Sequence, residues 1–197
     1  MIVQELKNSD ISWNDIKTIS DETVDNVKMN NTKRKAAPRG YPTGHAFEAV
    51  AEFKSRVSER DPYFVFSLND RKMNGEISYV IKSSKVQLRL ACAMAEGFLK
   101  NEYCFCDGTH KRCPDFVTLG VFVFVPVLKR IVKICSMEAE SESSENWAKL
   151  WTLFNLMIKG YSNDPLKRFN PTGWVCDGGG LWCGIRDVFG AEAIKKP

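Results

Sequence analysis

The stretch FVTLGVFVFV at Phe116–Val125 decides how the rest of the chain folds. It is rich in β-branched and aromatic residues, which suit the pleated surface of a strand. An unbroken apolar run of this length is typical of a central strand that is buried on both faces of a sheet. Pro126 then ends the strand, because proline cannot donate a hydrogen bond to the ladder. We therefore expect a sheet built around this segment.

A shorter strand is predicted on each side of this run. Residues 102–107 form the first strand, which ends at Asp107, and residues 108–111 begin the turn that follows it. Residues 130–137, which are rich in isoleucine and valine, form the third strand. Because short turns join the three strands, we expect them to form an antiparallel meander.

A helix, a fourth strand and a second helix follow the meander. The helix at residues 145–159 carries its apolar side chains at the spacing of an amphipathic helix, and residues 181–189 form the second helix. The strand at residues 173–177 is reached by a helical crossover, so we place it parallel to the first strand and beside it. The predicted fold class is therefore α/β, with the mixed sheet that opens an RNase H-like domain.

The chain divides into three predicted regions. Residues 1–42 are a polar and weakly structured leader, whose basic cluster at residues 33–35 is either a solvated linker or a nuclear-import or phosphate-contacting segment. Residues 43–100 are predicted to be a helix–hairpin–helix segment that precedes the main domain. Residues 101–197 are predicted to be a partial RNase H-like domain.

Local patterns define the elements of the middle region. A helix is predicted over residues 46–58, and a hairpin is predicted to pair residues 63–66 with the alternating residues 77–81. The second helix of this region ends at Gly97, since glycine commonly follows the last turn of a helix.

Composition and charge narrow the class of protein. The formal net charge of +4 suits an anionic partner but does not identify one. The N-terminal residues lack the apolar segment of a signal peptide, and no apolar run reaches the roughly 20 residues of a membrane-spanning helix. Seven cysteines without a secretory leader indicate reduced thiols. We therefore expect a nuclear or cytoplasmic protein that is not secreted and has no membrane partner.

Two aspartates lie where neighbouring strands are predicted to end. Asp107 ends the first strand and Asp177 ends the fourth, so both carboxylates would emerge at the same edge of the sheet. Cleavage of a phosphodiester by two metals needs carboxylates from separate segments that converge on Mg²⁺ ions about 4 Å apart. The two aspartates are therefore the candidate catalytic and metal-binding pair, although Asp-Gly is also an ordinary turn dipeptide.

Several motifs, taken in order, resemble the Mutator-like (MULE) family of DDE transposases. YCFCDGTHKR at residues 103–112 resembles the strand that carries the family's first aspartate, and FVTL at residues 116–119 resembles its second strand. Residues 136–155 resemble the third strand and the crossover helix. Residues 169–177 and 184–190 resemble the strand of the second aspartate and the helix after it.

The resemblance implies a transposon-derived protein that cuts and joins DNA with Mg²⁺ or Mn²⁺. Asp107 and Asp177 correspond to the first two acids of the DDE triad. The family's third acid lies on a helix after a fifth strand, and the chain stops at Pro197 before either, so we expect an incomplete and inactive domain. Glu138, at the end of the third strand, and Glu145, at the start of the crossover helix, are the candidate substitute acids.

Further expectations concern the partners of the domain. A missing fifth strand would leave the fourth strand as an open sheet edge, which invites pairing with a second copy or another chain. DNA is the expected ancestral partner, and basic side chains would neutralise its phosphates unless they are merely solvated. The candidate nucleic-acid-binding residues are His110, Lys111, Arg112, Arg130, Lys167 and Arg168.

Three other interpretations of the motifs are weaker. The cysteines and the histidine between residues 104 and 113 are zinc-ligand types, but Cys-x-Cys departs from the usual ligand spacing. A cysteine nucleophile paired with His45 or His110 has no local support. The glycine run at residues 178–180 lacks the lysine and the spacing of a phosphate-binding loop.

Two functions from different classes therefore stay open. The first is a DDE transposase that cuts and joins DNA with two divalent metals, here in a truncated form. The alternative is a non-catalytic nucleic-acid-binding or protein-interaction module that was domesticated from a transposase. Metal-dependent cleavage that requires Asp107 would identify the first.

Overall fold

The computed structural model of the chain describes residues 47–113 and 115–193, without the side chains of residues 95, 96 and 111–113. From Val50 onward the described residues belong to one compact unit. The expectations for residues 1–42 and for His45 lie outside the described residues.

Six strands make up a single mixed sheet. In chain order they are β1 (Ser67–Asn69), β2 (Tyr79–Lys82), β3 (Cys104–Cys113), β4 (Phe116–Val125), β5 (Arg130–Ala139) and β6 (Trp174–Val175). Their spatial order is β1-β2-β5-β4-β3-β6, and all pairs are antiparallel except β3 with β6, which is parallel. The expected meander is thus β3-β4-β5, and the expected fourth strand, β6, lies beside β3. Two strands from the middle region, β1 and β2, extend the same sheet beyond β5.

Five α-helices are present in the described chain. They are α1 (Phe47–Val57), α2 (Arg71–Asn74), α3 (Lys85–Glu96), α4 (Ser144–Ser162) and α5 (Gly180–Phe189), with 3-10 turns at Pro126–Leu128 and Ala191–Ala193. Ser84 and Ser143 cap α3 and α4, because each hydroxyl accepts a hydrogen bond from a backbone N–H in the first turn. No described helix is both long enough and apolar enough to cross a membrane.

One face of the sheet, which we call the helix face, carries the hydrophobic core. On β4, Val117, Leu119, Val121 and Val123 alternate toward this face and are buried. The three long helices that pack there are α3, α4 and α5, with α4 in contact with both of the others. The opposite, outer face of β4 is covered less completely, since Phe122 and Phe124 are half-buried. The prediction that β4 is buried on both faces therefore holds fully for the helix face only.

Glycines allow α4 and α5 to pack closely. A Cβ atom on Gly180 would lie 2.8 Å from the backbone nitrogen of Ser144, and one on Gly184 would lie 2.6 Å from the Cβ of Trp147. Gly178 and Gly179 adopt φ angles of +102° and +70°, which residues with a Cβ rarely adopt. The glycine run after Asp177 is thus explained by backbone conformation and helix packing.

A cluster of aromatic rings centred on Trp151 joins α4 to β6 and α5. Trp151 is fully buried, and its ring centroid lies 4.9 Å from that of Trp174 and 5.7 Å from that of Phe189. Phe169, from the loop after α4, stacks on Trp151 at 6.1 Å. Trp147, one turn earlier on α4, is fully buried as well.

The strand β3 is longer than the sequence predicts. Residues 108–111 continue the strand instead of beginning a turn, because the backbone keeps pairing with β4, with Gly108 opposite Leu119 and Thr109 opposite Thr118. The pairing becomes irregular between Thr109 and Cys113. The local turn tendency of Asp-Gly is weaker than the pairing offered by a long central strand.

The hairpin of the middle region is shifted along the chain. Residues 62–65 form turns instead of a strand, and the ring of Tyr63 packs on that of Tyr161 of α4 at 6.2 Å and on that of Phe66 at 6.1 Å. The strand that pairs with β2 is instead β1, and α2 fills the connection between them.

Replacement of Gly184 by alanine should destabilise the protein. A glycine-to-alanine change inside a helix ordinarily gains roughly 0.5–1 kcal/mol, but here the new Cβ would overlap Trp147. We expect a net loss of about 1–3 kcal/mol, as for other overpacked cores, measured by urea unfolding. The control is Asp187→Ala on the exposed side of α5, for which the change should be within about 0.5 kcal/mol. A stabilised Gly184→Ala variant would contradict the close packing of the two helices.

Glu140, just after β5, ties the end of the meander to α2 and β2. Its carboxylate accepts a hydrogen bond from the backbone nitrogen of Ser78 at 3.1 Å and pairs with the guanidinium of Arg71. Hydrogen bonding from Ser78, and then the charge and hydrogen bonds of Arg71, lower the pKa of Glu140.

Because the folded-state pKa of Glu140 is lowered, its contribution to stability should be present above the unfolded pKa of about 4.3. That contribution should disappear as the pH falls from there through the lower folded-state pKa. We expect wild type to be more stable than Glu140→Gln at pH 7 and the difference to shrink below pH ~4. Chemical unfolding at both pH values measures it, with Glu59→Gln as the exposed control. A difference that grows on acidification would contradict this assignment.

Candidate functional site

Asp107, on β3, and Asp177, just after β6, lie beyond the last pairing of two neighbouring parallel strands. The last paired residues of β3 and β6 are Phe105 and Val175, and Asp107 and Asp177 each lie two positions further along. Neighbouring strands run about 5 Å apart. The structure therefore places both residues just beyond the same end of this parallel pair.

Both aspartates lie on the exposed side of their strands. Cys106 is buried on the helix face, so the alternation of a strand directs Asp107 to the outer face. After β6, Cys176 packs against the core while Asp177 is exposed, which repeats the same alternation. Neither carboxylate forms an ion pair or a hydrogen bond with a side chain in the described part of the chain. The carboxylates of Asp107 and Asp177 are thus available to bind a cation.

A third carboxylate, that of Glu142, lies on the other face of β3, the helix face. Its carboxyl group covers Gly108 so closely that a Cβ atom at that position would overlap it. Its Oε2 atom lies 3.4 Å from Nε2 of His110, whose ring is largely exposed. Glu142 was not predicted as a site residue, since an acidic stretch alone does not reveal which of its carboxylates folds back onto β3.

Two helices begin beside these carboxylates. Gly180, the first residue of α5, approaches the backbone of Glu142 and Ser144, where α4 begins. The residue before α5 is Gly179, which has no side chain to cap the first free N–H groups. The positive ends of two helix dipoles therefore lie together near Asp177, and they favour negative charge there.

The candidate substitute acids lie elsewhere in the structure. Glu138 is on β5, separated from β3 by β4, where it pairs with Lys82 (Nζ–Oε1 2.7 Å) and accepts a hydrogen bond from Thr118. Glu145 is exposed in the first turn of α4 and lines a groove with Arg71 and Lys149. The structure therefore does not bring Glu138 or Glu145 to the aspartate pair.

No three carboxylate, cysteine or histidine side chains in the described ranges are grouped so that they could hold a metal ion. The oxygen ligands that the fold offers at the candidate centre are therefore those of Asp107 and Asp177. Magnesium is commonly bound by one or two carboxylates and retains several waters, so this ligand set fits a single hydrated Mg²⁺ ion.

The candidate nucleic-acid-binding residues are scattered. His110 lies on β3 beside Glu142, instead of in a turn, and the side chains of Lys111 and Arg112 lie outside the described part of the chain. Arg130 is exposed at the start of β5. Lys167 and Arg168 lie in the loop after α4, and Arg168 lines a cavity beside β6.

The cysteines near the site are buried thiols. Sγ of Cys104 lies 3.6 Å from that of Cys106 on the helix face, while His110 is exposed. Burial, and then the hydrogen bond and charge of Cys104, raise the pKa of the Cys106 thiol well above its usual range. Because the thiolate is the reactive and metal-binding form, Cys106 is suited to neither zinc binding nor nucleophilic catalysis.

Comparison with known proteins leaves the family of the chain open. No protein-family model matches the sequence, and no curated protein or solved structure is significantly similar to it.

Thiol labelling should separate the buried cysteines from the accessible ones. Cys104, Cys106 and Cys135 are buried, and burial raises the pKa of Cys106 and Cys135. We expect iodoacetamide at pH 8 to alkylate Cys183, which is half-buried on α5, and to spare these three until urea is added. Peptide mass spectrometry reads the result. Labelling of Cys106 in the native protein, as fast as that of Cys183, would contradict its placement in the core.

Proposed function

We propose that the chain is a nucleic-acid-processing domain with an RNase H-like fold, related to the Mutator-like DDE transposases. In this proposal Asp107 and Asp177 bind Mg²⁺ or Mn²⁺ and act on a phosphodiester of DNA. The observation that carries it is the alignment of the two aspartates two positions beyond the parallel pairing of β3 with β6.

The strand order supports the fold part of the proposal. A meander, a crossover helix, a parallel strand beside the first one and a further helix occur here in the order β3-β4-β5-α4-β6-α5. This is the order that the resemblance to the transposase family implies. It also accounts for two acids that are 70 positions apart in sequence but lie beyond the same end of a parallel strand pair.

The surroundings of the aspartates support the chemical part. When bound, a divalent ion would polarise a phosphodiester and lower the pKa of a bound water. The two carboxylates would hold that ion by its preferred oxygen ligands. The N-termini of α4 and α5 would favour the phosphate, because helix N-termini stabilise anions. The exposed ring of His110, further along β3 than Asp107, would add a contact to the nucleic acid.

The second candidate is a non-catalytic nucleic-acid-binding module of the same ancestry. It is favoured by the positions of Glu138 and Glu145, neither of which joins the aspartate pair. The triad of the transposase family has a third acid, and neither of these two residues supplies it. A domain with one hydrated ion, or with none, would retain binding without turnover.

Nicking of supercoiled plasmid DNA in Mn²⁺ tests the first candidate. We expect Asp107→Asn and Asp177→Asn each to reduce the rate by more than about 100-fold, because even the outer-shell partners of metal ligands contribute about 10–100-fold. Asp187→Asn, an exposed aspartate on α5, is the matched control and should leave the rate unchanged.

Two other outcomes decide against catalysis. Salt-sensitive DNA binding without nicking, unaffected by Asp107→Asn and Asp177→Asn, would identify the binding module. Absence of both nicking and DNA binding would overturn both candidates.

A further inference from the structure

A cavity of about 270 Å³ lies between the loop after α4, the start of β6 and the C-terminal end of α5. Its walls include three half-buried aromatic rings, Trp174, Trp182 and Phe189, and the buried ring of Phe169. Pockets for drug-sized ligands usually measure about 300–1,000 Å³, so this cavity suits one small flat ring system.

The aromatic walls are held in place by the core. The ring of Trp174 lies 5.2 Å from that of Phe189 and 5.8 Å from that of Phe169, and both Trp174 and Phe189 pack edge-on against the buried Trp151. A surface prepared in this way binds a flat ligand without first ordering its own side chains.

Two of the polar side chains at the cavity are available to a ligand. Arg168 and Asn170 are exposed, and neither has an ion-pair or hydrogen-bond partner among the described side chains. A guanidinium is well suited to a phosphate. An amide side chain presents both a donor and an acceptor to the edge of a base. Among the described lining residues the acidic one is Glu192, on the turn Ala191–Ala193.

We propose that this cavity binds one unpaired nucleobase of a nucleic-acid strand, with its neighbouring phosphate on Arg168 and its edge on Asn170. This proposal rests on the proposed function in one respect, because both take a nucleic acid as the partner. Every base has a flat face that stacks on aromatic side chains, so the site would accept bases with little sequence preference.

The position of the cavity relates it to the aspartate pair. Trp182 lines the cavity and also lies beside Gly178, since its Nε1 atom would be 3.6 Å from a Cβ at that position. Gly178 directly follows Asp177. From Trp174 to Asp177 the chain spans about 10 Å at 3.3 Å per residue, which corresponds to a few nucleotides. The cavity lies on the helix face and the aspartates on the outer face, but β6 is the edge strand of the described sheet. A strand that crosses the aspartates could therefore pass round this edge and insert a nearby base into the cavity.

Binding of a fluorescein-labelled 12-nucleotide single strand to the full chain in EDTA tests this. The expected result is tighter binding of the single strand than of the matching duplex, and loss of affinity when the bases are replaced by abasic sites. Trp182→Ala should weaken binding about tenfold or more, as loss of one base–aromatic stack does. Trp182→Phe, which keeps a ring, should retain most of it.

The polar contacts have their own variants. Arg168→Ala and Asn170→Ala change exposed residues and leave the core intact, so lower affinity in these two variants cannot be ascribed to unfolding. Arg89→Ala removes the same charge from an exposed position on α3 and serves as the matched control, with affinity unchanged.

The outcomes separate this proposal from the proposed function. Nicking that persists while abasic and intact strands bind alike would overturn the cavity proposal alone. Base-dependent binding that is weakened by Trp182→Ala and Arg168→Ala, without nicking, would support the cavity proposal and remove catalysis. Failure of any oligonucleotide to bind would overturn it. So would self-association that is lost in Trp182→Ala, because the occupant would then be a second copy.

Discussion

The packing of Trp151 holds the C-terminal half of the structure together. β6 is only two residues long, and its pairing with β3 supplies few hydrogen bonds. Aromatic contacts keep β6 on the sheet. Trp174 of β6 packs against Trp151 of α4, Phe169 of the loop after α4 and Phe189 of α5. Burial of large aromatic side chains contributes more than a two-residue ladder does. The position of Asp177 therefore depends on a ring cluster that lies on the other face of the sheet.

The glycines of α5 are the second part of the same arrangement. Gly180 and Gly184 let the helix approach α4 closely, and the positive φ angles of Gly178 and Gly179 turn the chain from β6 into it. The helix thereby begins beside the start of α4. The glycines at residues 178–180 are thus explained by backbone conformation and helix packing, without a phosphate-binding role. The resulting turn brings the N-termini of α4 and α5 to the edge where the aspartates lie.

The sequence predicts best where one pattern dominates. β4 has the predicted bounds, because an unbroken β-branched run has few alternatives. The crossover helix is recovered to within a few residues at each end, since its apolar stripe and its caps agree. The placement of Asp107 and Asp177 beyond the same end of a parallel strand pair follows from strand order alone.

Features that depend on tertiary contacts are missed. The sequence predicts a turn at residues 108–111, but in the structure this segment pairs with β4. Likewise Tyr63 is predicted to lie in a strand, but in the structure its ring packs on Tyr161. The sequence could not show that Glu142, and not Glu138 or Glu145, would contact β3. The contact of Glu142 with Gly108 depends on the path of the connection between β5 and α4. The aromatic cavity is lined by side chains from three elements, so it too could not be predicted from local patterns.

Four of the five tryptophans, Trp147, Trp151, Trp174 and Trp182, lie in one region of the structure. The intrinsic fluorescence of the protein consequently reports whether β6 and α5 are docked, and is nearly blind to the strands at the far side of the sheet.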